Sequence, residues 1–322
     1  MRRCFAFLLL AGCAAPTPQP RAAASPARRA PLFEFHSDPW SNLQQRLIAE
    51  ATADAYWHTT VPTCACALGP DGAPLPAWAS AVAQFKTTYT DRRRFTDASL
   101  LRTTLELALA GSHMTLPTGV DKDVAGPLGA TFVPYYDGQW PADDARNKAW
   151  IADVEPLVAK WAPEIAEELA KRFDTRWPAE TIRVEVTQYA GFGGAETTSP
   201  PILTIMSSED AGYTGPAALE MLFHEASHGI DGNLMHDLET AFIAKGKRLP
   251  DRLEHAIIFY TAGELVRRRL GPSYVPYAHA QGVWKRGLVK TEAVLRVHWQ
   301  KWLDDEIDLP TALSRLVDDV AL

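Results

Sequence analysis

Residues 217–231 read Ala-Ala-Leu-Glu-Met-Leu-Phe-His-Glu-Ala-Ser-His-Gly-Ile-Asp, and this run leaves little choice of structure. Leu219, Met221, Leu222, Phe223 and Ile230 are core material, and Gly215-Pro216 in front puts proline where helices begin. On a helix, His224 and His228 stand one turn apart on one face. Two imidazoles and the Glu225 carboxylate inside a buried helix are costly unless they share a task. Two histidines four residues apart, with a glutamate after the first, are what a zinc ion and the base beside it require. The ion lowers the pKa of a water, and the glutamate takes its proton.

Around this helix the pattern is mostly helical. Apolar spacing predicts helices over 38–60, 77–88, 97–110 and 142–173, with Pro156 and Pro163 of the last each at a helix start. Further helices are expected over 217–230, 236–246 and 251–270, and through most of 282–320. The Gly- and Pro-rich stretches 61–76 and 111–140 read as loops, the latter ordered or with short strands. Strand periodicity shows at 182–187 and 202–206, and the two resemble a hairpin with a long connection. With 322 residues, 47% of them hydrophobic, the chain can bury a sizeable core. Its net charge of −7, without a basic stripe interleaved with aromatics, argues against a nucleic-acid partner.

The N-terminus predicts export. Met1-Arg2-Arg3 is followed by an apolar run and then Leu10-Ala11-Gly12-Cys13. This ending resembles a bacterial lipobox, which implies a signal peptide over 1–12 and lipid attachment at Cys13. Ala14 after the cysteine is compatible with sorting to the outer membrane, facing the periplasm. Residues 13–31, rich in Pro, Ala and Arg, read as a flexible tether. Residues 32–322 then form a single unit, with an N-terminal helical part over 32–175 and a metal-site part over 176–322. Cys64 and Cys66 read as structural, either disulfide-bonded or reduced.

Residues 217–231 resemble the metal helix of zincin metallopeptidases, and the strands before it resemble the zincin edge strand. The resemblance covers roughly residues 180–280. No third histidine follows Gly229 at metzincin spacing, which favours the gluzincin branch, where a downstream glutamate is the third ligand. Glu264 is the first choice, a lone carboxylate within the apolar stretch Ile257–Val266, with a salt bridge to an arginine of the Arg267–Arg269 run as the plainer alternative. His255 is the second choice, as third ligand or transition-state donor, and Glu254 and Glu239 follow. His255 and Glu264, nine residues apart, face opposite sides of one helix and hardly share an ion. Tyr277 is the leading donor to a tetrahedral oxyanion, ahead of Tyr260 and His255. Asp231 or Asp237 would orient a ligand imidazole. Trp140, Phe192, Tyr213 and Tyr277 are the candidates to line a cleft.

The expected fold is therefore α+β, mostly α and zincin-like, with a small antiparallel sheet packed on the metal-binding helix and additional helical layers. The expected activity is that of a hydrolase with one Zn2+, held by His224, His228 and Glu264, with Glu225 as general base. The expected partners are a peptide or protein substrate and a membrane, through the lipid anchor. The alternative is a non-enzymatic envelope lipoprotein, a binding or scaffolding module that keeps the metal site.

Overall fold

The computed structural model describes residues 31–56, 61–90, 97–111, 113–191 and 194–320. The signal peptide, most of the tether with Cys13, and Phe192 lie outside the described residues.

Four strands form one mixed sheet in the order β1-β2-β4-β3: β1 (Phe33–His36), β2 (Ile182–Thr187), β3 (Ala195–Thr198) and β4 (Leu203–Ser207). β1 and β4 both run parallel to β2, and only β3 is antiparallel, paired with β4. The expected hairpin between 182–187 and 202–206 is thus corrected. The chain leaves β2, returns along the outer edge as β3, and then threads β4 between the two. The expected antiparallel sheet is likewise corrected to a mixed one, with two of its three pairings parallel. β2 and β4 are almost wholly buried, which matches apolar strands covered on both faces.

The helices follow the sequence more closely. They include α1 (Pro39–Tyr56), α2 (Pro76–Tyr89), α3 (Ala98–Ala110), α4 (Lys122–Gly138) and α5 (Trp140–Arg172). After the sheet come α6 (Gly215–Ser227), α7 (Gly232–Ala244), α8 (Leu253–Leu270), the short α9 (Tyr277–Ala280), α10 (Val289–Val294), α11 (Gln300–Leu303) and α12 (Leu309–Asp319). A π-helical turn, Leu295–Trp299, joins α10 to α11. Two expectations fail on proline. The 111–140 stretch contains α4, which holds Pro127 and Pro134 in its interior. Its buried residues Val124, Leu128, Thr131, Phe132 and Tyr135 recur at helical spacing, and their burial outweighs the lost backbone bonds. The Thr131 hydroxyl donates to the Pro127 carbonyl at 2.8 Å. Likewise α5 runs unbroken through Pro156 and Pro163 along a buried stripe from Trp150 to Leu169.

Two apolar cores result. One lies among α1 to α4, with Trp40 stacked on Phe132 and Phe85 fully buried. Cys64 and Cys66, joined by a disulfide, border it. The larger core joins the sheet, α5 to α8 and the C-terminal helices. The second half of α5 belongs to this larger core, so the N-terminal helical part gives its last helix to the metal-site part. α6 is the centre of that core: every residue from Ala218 to Ser227 is buried.

Candidate metal centre

α6 and α8 pack antiparallel in a register that repeats every four residues. Glu220 faces Gly263, His224 faces Phe259 and His255, and His228 faces His255. Each step is one helical turn, so one face of each helix supplies the whole seam. At its centre His224, His228 and His255 converge, each offering a ring nitrogen within 4.8 Å of the other two. The Nε2 atoms of His224 and His255 are 3.0 Å apart. Ring centroids in the triad are separated by 4.9–5.2 Å.

Electrostatics keep two of these rings neutral. Burial, and then the two neighbouring imidazoles, hold His224 well below its ordinary pKa. Burial, and then His228, push His255 down to about 4. Burial also pulls on His228, but a hydrogen bond to Glu254 and the charges of Glu225 and Glu254 outweigh it and raise its pKa. The Glu254 Oε1 atom sits 3.5 Å from His228 Nδ1. That contact steadies the ring, as carboxylates do behind metal-bound histidines. Burial, and then Glu254, raise the Asp231 pKa, so Asp231 shares its proton with Glu254 behind the site.

The donor set fits a zinc ion. Three imidazoles are a recurrent zinc triad, and a ligand must be deprotonated to bind. The His224 Nδ1 atom is buried without a hydrogen-bond partner, while its Nε2 faces His255.

Glu225 lies beside the triad, buried, with its pKa raised by that burial against the pull of His228 and of a Thr197 hydrogen bond. The Thr197 hydroxyl donates to Glu225 Oε2 at 2.9 Å. Thr197 is on the edge strand β3, and its hydroxyl lies 3.2 Å from that of Thr204, its partner on β4.

Of the ligand candidates, the structure brings His255 to the histidine pair and leaves Glu264 out. Glu264 accepts three hydrogen bonds from Arg267, at 2.5–3.2 Å. Position 264 is one residue past Gly263, about 100° around α8 from the seam, and its partner lies three residues on along the same helix. Glu254 serves behind His228, and Glu239 sits on α7 away from the triad. The Tyr260 hydroxyl donates to Gln300 at 2.8 Å, so it is committed elsewhere.

Tyr277 does reach the site's flank. Its ring is parallel to Phe259 at 6.1 Å, and Phe259 stacks on His255 at 4.9 Å and approaches His224 at 3.9 Å. Tyr213 lies 5.3 Å from Tyr277 and hydrogen-bonds its hydroxyl, and both phenols are raised in pKa, chiefly by burial. Trp140, by contrast, packs in the other core.

Phe259, Thr197 and Glu220 escaped sequence reasoning. Phe259 carried a signal, four residues after His255 on the same face. Glu220 carried the one used for Glu264, a carboxylate in an apolar helix. Thr197, in the polar run Ala-Glu-Thr-Thr, carried none.

Comparison with known proteins gave no matching family model, no similar curated protein and no similar solved structure.

Proposed function

We propose that the chain is a zinc-dependent hydrolase, a peptidase in its simplest form, with His224, His228 and His255 as the protein ligands. The observation that carries this reading is the convergence of three imidazoles, two of them held neutral, next to a buried carboxylate tied at one oxygen. When bound, the ion supplies a Lewis acid that makes a water acidic enough to ionise near neutral pH. The residues do the rest. Thr197 occupies Glu225 Oε2 and leaves Oε1 to take a proton and hand it to a leaving amine. Burial raises the carboxylate toward the pH at which it both accepts and returns a proton. Tyr277 accepts the Tyr213 hydroxyl and keeps its own proton to donate to an oxyanion. β3, at the sheet edge next to Glu225, supports a peptide over other amides, because an extended backbone can lie along an edge strand.

The test is metal content of the purified chain, followed by hydrolysis of unfolded protein or of a quenched-fluorescent peptide library. We expect one zinc per chain and cleavage that Glu225→Gln lowers about 10²- to 10⁴-fold with zinc retained. Full activity in that variant would sink the mechanism, and stoichiometric zinc without any hydrolysis would favour the binding module.

The proposal extends to location on the Leu10–Cys13 run alone. The chain is exported and anchored by lipid at Cys13; no helix among the described residues is long and apolar enough to cross a membrane. Cys13→Ala should abolish labelling by a palmitate analogue, and persistent labelling refutes the anchor.

A further inference from the structure

One fully buried carboxylate has no part in the chemistry above. Glu220 lies on α6 one turn before His224 and is completely enclosed. Both its oxygens accept the backbone N–H of Tyr277, at 2.9 and 3.1 Å, and Oε2 also accepts the Tyr274 hydroxyl at 2.7 Å. Opposite it, Gly263 leaves the room this requires. A Cβ there would stand 3.1 Å from Glu220 Oε1 and 2.8 Å from Pro276 Cβ. Gly212 gives similar clearance on the far side, where a Cβ would come 3.1 Å from Tyr277 Cε2. The segment from Gly271 to Tyr277 is otherwise a loop between α8 and α9, held by few regular bonds of its own.

A carboxyl group is taken out of water at high cost, and burial pushes Glu220 up to about 7 against the pull of the Tyr274 hydroxyl and the Tyr277 amide. What it adds here is a pair of acceptor oxygens converging on one position, the amide of Tyr277. That amide begins α9, and the ring it carries lies against Phe259 and Tyr213 beside the histidine triad. We infer that Glu220 is a positioning residue, which fixes the main chain of Tyr277 from inside α6 so that the phenol stands at a constant place relative to His224, one turn further along the same helix. The inference rests on the hydrolase reading for its catalytic consequence but on these contacts for its substance.

The experiment is a double-mutant cycle on the zinc-loaded full chain, with a quenched-fluorescent peptide that the wild type cleaves. Tyr277→Phe should lower kcat about 10²-fold with KM little changed, as loss of one oxyanion donor does. Glu220→Gln keeps the shape but turns an amide N–H₂ toward a donor, and should lower kcat at least about tenfold. The double variant should be no slower than Tyr277→Phe within about threefold, because Glu220 acts only through that phenol. Multiplying effects, or a Glu220→Gln variant with unchanged kcat, overturn the inference. Gly263→Ala presses the same strap without changing charge and should give the same partial loss, which covers the case of a Glu220→Gln chain that does not fold.

A second readout needs no turnover. Acetohydroxamate added to the cobalt-loaded chain presents an anionic oxygen to the same place, and its affinity is read from the visible spectrum. Glu220→Gln and Tyr277→Phe should each weaken it, and together no further. If the wild type cleaves nothing, the hydrolase reading falls, and the hydroxamate cycle still decides the role of Glu220.

Discussion

The sharpest test of the metal centre sets His255 against Glu264, residues on opposite sides of one helix. His255→Ala removes one of three ring nitrogens that approach within 4.8 Å of one another. Protein zinc sites bind with about 10–16 kcal/mol spread over four ligands, so one ligand carries about 3–4 kcal/mol. The variant should therefore bind zinc about 10²- to 10³-fold more weakly. Glu264→Gln removes instead a partly exposed i,i+3 pair with Arg267. It should cost at most about 1 kcal/mol of stability and leave zinc affinity within about threefold. The assay is competition against a chromophoric chelator at neutral pH, with circular dichroism to confirm that both chains are folded. Loss of zinc in Glu264→Gln together with retention in His255→Ala would refute the seam geometry from which the triad is built.

Two further outcomes follow from the charges. His224 and His255 are already neutral, so zinc must displace a proton only from His228, whose pKa is raised above 6.5; zinc affinity should fall about tenfold per pH unit on acidification below that pKa, and a three-proton slope in a pH series of chelator competitions would contradict it. Burial, and then Asp38, push Glu185 up to about 8, so the folded chain keeps a proton there that the unfolded chain releases near 4.5. Stability from this group is present at low pH and lost as pH rises through about 8. Glu185→Gln should therefore flatten the fall in thermal midpoint between about pH 4.5 and pH 8, and an unaltered fall would show that Glu185 is not its source.

The legible parts of the fold were those with local causes. α6 was readable because an apolar run, a Gly-Pro start and a histidine pair agree on one period. α4 was not, because its breakers are visible along the chain while the partner that overrides them, Trp40 against Phe132, is about 90 positions away. β1 is only Phe-Glu-Phe-His, and β3 has no apolar face to signal a strand. The parallel pairing of β2 with β4 depends on an insertion between strands, and periodicity within a strand carries no record of it. The third ligand shows the same limit. The sequence put the leading candidates, Glu264 and His255, on one helix, but the choice between them turns on which face of α8 meets α6, where Gly263 and Phe259 lie against Glu220 and His224.

The edge position of β3 has a kinetic side. A strand with one paired neighbour is the part of a sheet that opens first, long before the core unfolds. Thr197 sits on that strand, so each opening of four residues also lets go of the Glu225 carboxylate. The histidine triad, held between two buried helices, stays assembled while this happens. On the hydrolase reading, holding a metal and being ready to act would then have separate lifetimes: the first that of the core, the second only that of a short peripheral strand, which anything pairing with β3 from outside would lengthen.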